Sequence, residues 1–211
     1  MRRITIRSLS LLFVVLLAAV AWGRGATPKE LIVDLKFHPQ EGVSSNSAQL
    51  PPSVLNQPIE IRVEDGRQQA DPLVIGTGTG GDDRSFPIRA ASDVKAFIND
   101  TLHDVAGQWG VRTDAHSDRI LAINITRFFI DESNKALGSV YSTEVSLAWT
   151  LEDARGNSLT EGVGSGSAHR YGRAHSLENI NEVLSDALKE AFANVMNDSN
   201  LQRAWGSGKK K

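Results

Sequence analysis

The stretch STEVSLAWTLEDARGNSLTEGVGSGSA, Ser142 to Ala168, decides the fold. Val145, Leu147, Trp149 and Leu151 alternate with Glu144, Ser146, Ala148 and Thr150. A period of two with one polar face belongs to a half-buried strand. DARGN, Asp153 to Asn157, supplies turn residues. The stretch therefore predicts a hairpin, with Trp149 in the core, Glu144 and Ser146 outside it, and Leu159 and Val163 pointing inward on the return strand. The outer sheet face would be small and polar, with Thr160, Gly162, Gly164, Gly166 and Ala168 on the return strand beside Ser142 and Thr150. Alternating glycines in EGVGSGS have two readings: a strand flattened so that another backbone can approach, or a weak edge strand.

The same periodicity extends outward. Leu31, Val33, Leu35 and Phe37 alternate with Asp34, Lys36 and His38, and Ile59, Ile61 and Val63 with Glu60, Arg62 and Glu64. In RILAINITRFFI, Arg119 to Ile130, Leu121, Ile123 and Ile125 share one side, with Ala122, Asn124 and Thr126 on the other. Two stretches carry the helical period instead. Ser92 is the expected N-cap of a helix with Val94, Phe97, Ile98, Leu102, Val105 and Trp109 on one face, ended by Gly110. Ser176 is the expected cap of a second, whose face runs from Ile180 through Leu184, Leu188 and Phe192 to Val195. The order β-β-α-β-β-β-α predicts an α+β two-layer sandwich, two helices packed on one face of a four- to five-stranded, mostly antiparallel sheet.

The chain start addresses the compartment. Arg2, Arg3 and Arg7 precede the apolar run Leu9 to Ala21, which ends in Ala19-Val20-Ala21. This is the pattern of a secretory signal over residues 1–21, cleaved near Ala21, and the run is short of the roughly 20 residues that span a bilayer. The expected location is periplasmic, with membrane anchoring by an uncleaved signal as the alternative. Loss of three arginines would move the formal charge from −2 to −5, which argues against a nucleic-acid partner. There is no cysteine, so neither a disulfide nor a lipidated cysteine is available from these residues. Residues 22–30 read as a linker and 31–203 as one domain, with 38–58 a connecting loop and 204–211 a disordered basic tail.

The stretch PLVIGTGTGGDDRSFP, Pro72 to Pro87, contains Gly76, Gly78 and Gly81 in G-x-G-x-x-G spacing. A dinucleotide site needs the third glycine at a helix start, whereas here Asp82 and Asp83 follow and Pro87 interrupts. The expectation is a flexible loop and no nucleotide. Just before it, IEIRVEDGRQQADPLVIGTG has the shape V-x-D-x-R followed by Ile-Gly, on Val63, Asp65, Arg67, Ile75 and Gly76. With the element order, these residues make the chain resemble the YajG family of bacterial envelope lipoproteins from about Leu31 to Leu201. That resemblance implies an envelope protein without established enzymatic activity. The missing lipidation cysteine departs from the family pattern.

No catalytic constellation stands out. Ser165 and Ser167 lack the paired glycines of a nucleophile elbow, and His38, His103, His116, His169 and His175 form no zinc motif. Asp82 and Asp83 read as a turn rather than a carboxylate pair. AHRYGRAH, Ala168 to His175, is the candidate ligand-binding loop: His169, Arg170 and Arg173 surround Tyr171 just before the second helix, as a site for an anionic lipid or glycan would require. The expectation is a non-enzymatic periplasmic accessory or binding protein, without cofactor or metal, working with an envelope protein, lipid or glycan. The alternative is a small periplasmic hydrolase or metal-dependent enzyme whose site assembles only in the fold.

Overall fold

The computed structural model describes residues 29–40 and 47–207. The expected signal, most of the linker and the last four tail residues lie outside these. Seven strands form one sheet: β1 (Leu31–Val33), β2 (Glu60–Asp65), β3 (Val74–Thr79), β4 (Ser85–Ala90), β5 (Arg119–Lys135), β6 (Gly138–Asp153) and β7 (Ser158–Gly172). Four helices accompany them: α1 (Pro52–Leu55), α2 (Val94–Gln108), α3 (Leu177–Met196) and α4 (Ser199–Gly206). The order across the sheet is β1-β4-β3-β5-β6-β7, with β2 also on β5. Pairings β1/β4, β2/β5 and β3/β5 are parallel and the rest antiparallel.

This corrects the expected four- to five-stranded, two-helix sandwich: the sheet is mixed and has seven strands, and there are four helices. The glycine-rich stretch accounts for two of the missing strands. It is the β3–β4 hairpin, turning at 80–84 with Gly80 N donating to Arg84 O at 2.8 Å. Its glycines are packing positions. A Cβ on Gly78 would collide with the Phe86 ring, and one on Gly76 would meet the Ile130 carbonyl, where β3 joins β5. Strand β5 serves two neighbours on one edge, β2 along 120–125 and β3 along 130–132. Between them a bulge at Thr126 shifts the register, so Phe128 and Ile130 take over the buried face from Leu121, Ile123 and Ile125.

Helices α2 and α3 lie on that same face. Phe97 of α2 meets the inward Phe128, and Trp109 stacks on Phe192 of α3 at 5.3 Å. Asp93, not Ser92, caps α2, accepting from Lys95 N and Ala96 N. Gly110 follows its end at φ 79°. Ser176 caps α3, and Trp149 is buried with Val145 and Leu147, as the patterning predicts.

The return strand β7 is turned the other way from the expectation. Val163 is 65% exposed and Leu159 also faces water, while Gly164 and Gly166 are buried opposite Leu147 and Val145. Helix α3 is the cause. A Cβ on Gly164 would lie 2.5 Å from Ala191 O, and one on Gly166 2.6 Å from Ala191 N. Only hydrogen-sized side chains let the helix backbone settle there, so the glycines serve backbone approach. The same helix caps part of the free β7 edge: Glu190 accepts from Ser167 N at 2.8 Å and Asn194 donates to Ser165 O at 2.7 Å.

The N-terminal run is strand only over β1. Beyond it the chain lies along α3, where Asn181 and Ser185 accept from Lys36 N and His38 N and donate to the carbonyls of Asp34 and Lys36. At the other terminus, residues expected in a disordered tail close α4, and Trp205 is fully buried.

Candidate functional site

The two sheet faces differ in kind. Along β5, β6 and β7 the inner face is sealed by α2 and α3. On the outer face Glu144, Ser165, Ser167 and His169 are exposed, and Ser142, Ser146, Ala148 and Thr150 are half-buried. At its centre an open hollow of about 440 Å³ is lined by Arg127, Glu144, Ser146, Ser165, Ser167 and Glu190. Arg127 Nε pairs with Glu144 at 2.5 Å and its guanidinium covers Phe129. The Ser146 and Ser165 hydroxyls meet at 3.2 Å. Hydroxyls, one ion pair and short side chains leave this face open and lined with hydrogen-bonding groups.

The residues expected in a ligand loop stand at the end of β7, and strand alternation divides them. His169 and Tyr171 point outward, His169 Nδ1 lying 3.0 Å from Ser142 Oγ. The imidazole has no carboxylate partner among the described residues, so this Ser–His contact lacks the third group that orients a base. Arg170 points inward to an ion pair with Glu182 of α3. Arg173 lies past the strand, exposed, with its carbonyl accepting from Tyr141. The four are not brought to one point.

Beneath Arg173 lies a polar knot absent from the expected site. Glu132 occupies the inward parity of β5 and is buried. It accepts from His175 N at 2.7 Å, and His175 Nδ1 lies 3.2 Å from its other oxygen. The Tyr141 hydroxyl donates to Arg173 O at 2.6 Å and accepts from Ser176 N at 2.9 Å. Burial pushes this phenol up to about 12. His175 holds φ 57°, so the knot fixes an unfavourable backbone turn into α3. A carboxylate on the apolar parity after Phe128 and Ile130 was the available signal.

The V-x-D-x-R and Ile-Gly residues are architectural. Arg67 grips Asp65 through two bonds, 2.9 and 2.7 Å, and also donates to Pro72 O at 2.7 Å, closing the loop between β2 and β3. Val63 and Ile75 are core. The Arg67 hydrogen bonds hold the Asp65 carboxyl below its usual range. A carboxyl depressed by folding contributes stability above its unfolded value, about 4, and loses it as pH falls through the lower folded value. Asp65→Asn is expected to cost about 1–3 kcal/mol at pH 7 and to shrink the loss of stability on acidification. Denaturant titrations at pH 7 and pH 3 check both.

Among the described residues no group of three or more His, Cys, Asp and Glu side chains is placed to hold a metal ion, and no helix is long and apolar enough to cross a membrane. An α+β domain with one sealed and one bare sheet face defines the class. Residues 46–205 match the model of a family described as uncharacterized lipoproteins, and the chain belongs to that family. No curated protein matches it. Solved structures similar to it include a protein from Xanthomonas campestris, 12% identical, covering 83% of this chain and 97% of its own with a TM-score of 0.49. A minor lipoprotein from Acinetobacter baumannii is 11% identical over 68% of this chain and 94% of its own, with a TM-score of 0.37. A lipoprotein from Neisseria meningitidis is 18% identical over 54% and 83%, with a TM-score of 0.25. Membership of a lipoprotein family supports an exported location.

Proposed function

We propose that this is a non-enzymatic binding or accessory protein of the bacterial periplasm, of YajG type within its family, and that its contact surface is the outer face of β5, β6 and β7. The observation that carries the reading is the asymmetry of the sheet. Three long strands are sealed by helices on one side and carry small polar side chains around an open hollow on the other. The five histidines support it too. His103 on α2, His169 on β7, and His38, His116 and His175 in three separate connections do not converge with carboxylates in one deep pocket, the arrangement the hydrolase alternative calls for.

The test is capture of envelope material on immobilised protein. The double variant Ser146→Arg with Ser165→Arg fills the hollow with bulk and charge and is expected to abolish capture of species retained by wild type. Gln108→Arg, on the exposed side of α2, should leave capture intact. Equal capture by all three proteins would remove the outer face from the account.

A further inference from the structure

One end of the sheet gathers features the outer face does not use. Leu31 is level with Ile88, Ile88 with Gly76, and Gly76 with Ile130. The chain therefore enters β1 from the end at which β5 turns into β6. That turn is Ala136-Leu137, between Lys135 and Gly138. Leu137 is 92% exposed. Beside it Tyr171, 58% exposed, leans over the hairpin: a Cβ on Gly138 would lie 3.1 Å from the Tyr171 hydroxyl. One exposed leucine is ordinary on any surface. Its surroundings set this one apart.

Lys29, Lys135 and Arg173 stand at the same end, exposed and without an ionic partner among the described residues. Arg84, in the β3–β4 turn, is tied to Asp82, while Asp83, Asp131 and Glu178 are exposed at this end and oppose the free cations in part. A protruding apolar side chain, a phenol with one greasy and one polar end, and three cations without ionic partners among the described residues are the side-chain types that enter a lipid headgroup layer. The position of Lys29 adds direction. Residues 1–28 join the domain at this end, so in the uncleaved form a membrane that holds the apolar run over 9–21 is approached by Leu137 as well.

We propose that this end of the sheet docks on an anionic phospholipid surface, Leu137 and Tyr171 entering the headgroup region while Lys29, Lys135 and Arg173 meet lipid phosphates. Docking there leaves the outer sheet face turned sideways, free for its own partner. The inference draws on the envelope location and not on the outer-face reading, and its test needs no partner.

The chain has no cysteine, so a single introduced one is the sole attachment point for an environment-sensitive fluorophore. Leu137→Cys places the label at the tip. Arg155→Cys places it in the β6–β7 turn at the opposite end of the sheet. Full-length protein is mixed with vesicles of phosphatidylglycerol and phosphatidylethanolamine, or of phosphatidylcholine alone. The label at 137 should shift to the blue and be quenched by a lipid-borne quencher on the anionic vesicles, and the label at 155 should not respond. Lys135→Gln with Arg173→Gln should weaken vesicle affinity about tenfold or more, at unchanged melting temperature. Equal response of the two labels would mean that the protein adsorbs without this end leading, and loss of the response at 137 once residues 1–21 are removed would mean that the N-terminal run alone adsorbs it; either result would fell the proposal. No response at 137, or wild-type affinity in the double variant, would overturn it equally.

Discussion

Gly166→Val is expected to destabilise the protein by roughly 3–5 kcal/mol, because the added carbons press on helix backbone. Gly166 sits under α3, and its Cβ would fall 2.6 Å from Ala191 N and within contact distance of the Ala187 carbonyl. Both are helix backbone atoms, so no rotamer change relieves the clash. The helix must lift, and Leu184, Leu188 and Phe192 lose their place in the core that Val145 and Leu147 share. Gly107→Ala is the matched control. Gly107 lies in α2 with nothing within 4 Å of its Cβ, so alanine there should raise stability by about 0.5–1 kcal/mol. Urea titrations of both variants check the pair. A Gly166 variant as stable as wild type would mean that α3 does not rest on β7.

Trp149→Ala should cost roughly 3–5 kcal/mol, against about 0.5 kcal/mol or less for Ser146→Ala three residues earlier. Trp149 is 2% exposed on the helix side of β6, and its indole packs over Gly162 of β7, where a Cβ would lie 2.5 Å from the ring. Removing it opens a cavity between the sheet and the helices. Ser146 lies on the other face, where its hydroxyl meets only Ser165. Equal denaturation midpoints would place β6 one residue out of register.

Much of the inner face was legible because its side chains are large. Val145, Leu147, Trp149 and Leu151 alternate without interruption, and so do Leu121, Ile123 and Ile125. The helices α2 and α3 were equally plain from their apolar stripes. Strand β7 was misread because glycines carry no parity signal. Leu159 and Val163 then supplied the wrong one, although the structure exposes both. The hairpin β3–β4 was hidden for a related reason: TGTGG reads as freedom, and only the ring of Phe86 and the carbonyl of Ile130 show that glycine is needed for contact. Trp205 was lost in an apparently polar tail, since one aromatic in RAWG makes no period. The expected ligand residues failed as a cluster because 168–172 is strand. Period two sends Arg170 to Glu182 and leaves His169 and Tyr171 outside. The bare outer face was anticipated on β6, whose Ser142, Glu144, Ser146, Ala148 and Thr150 do face outward.

The claim that the outer face is the working surface is tested most directly by photo-crosslinking in living cells. A photoreactive amino acid replaces Ser146 or Ser165 in the hollow, or Asp104 on the exposed side of α2. Discrete adducts at 146 and 165, protein or lipid by mass, with none at 104, are the predicted result. Adducts at 104 alone, or equal yields from all three positions, would contradict it.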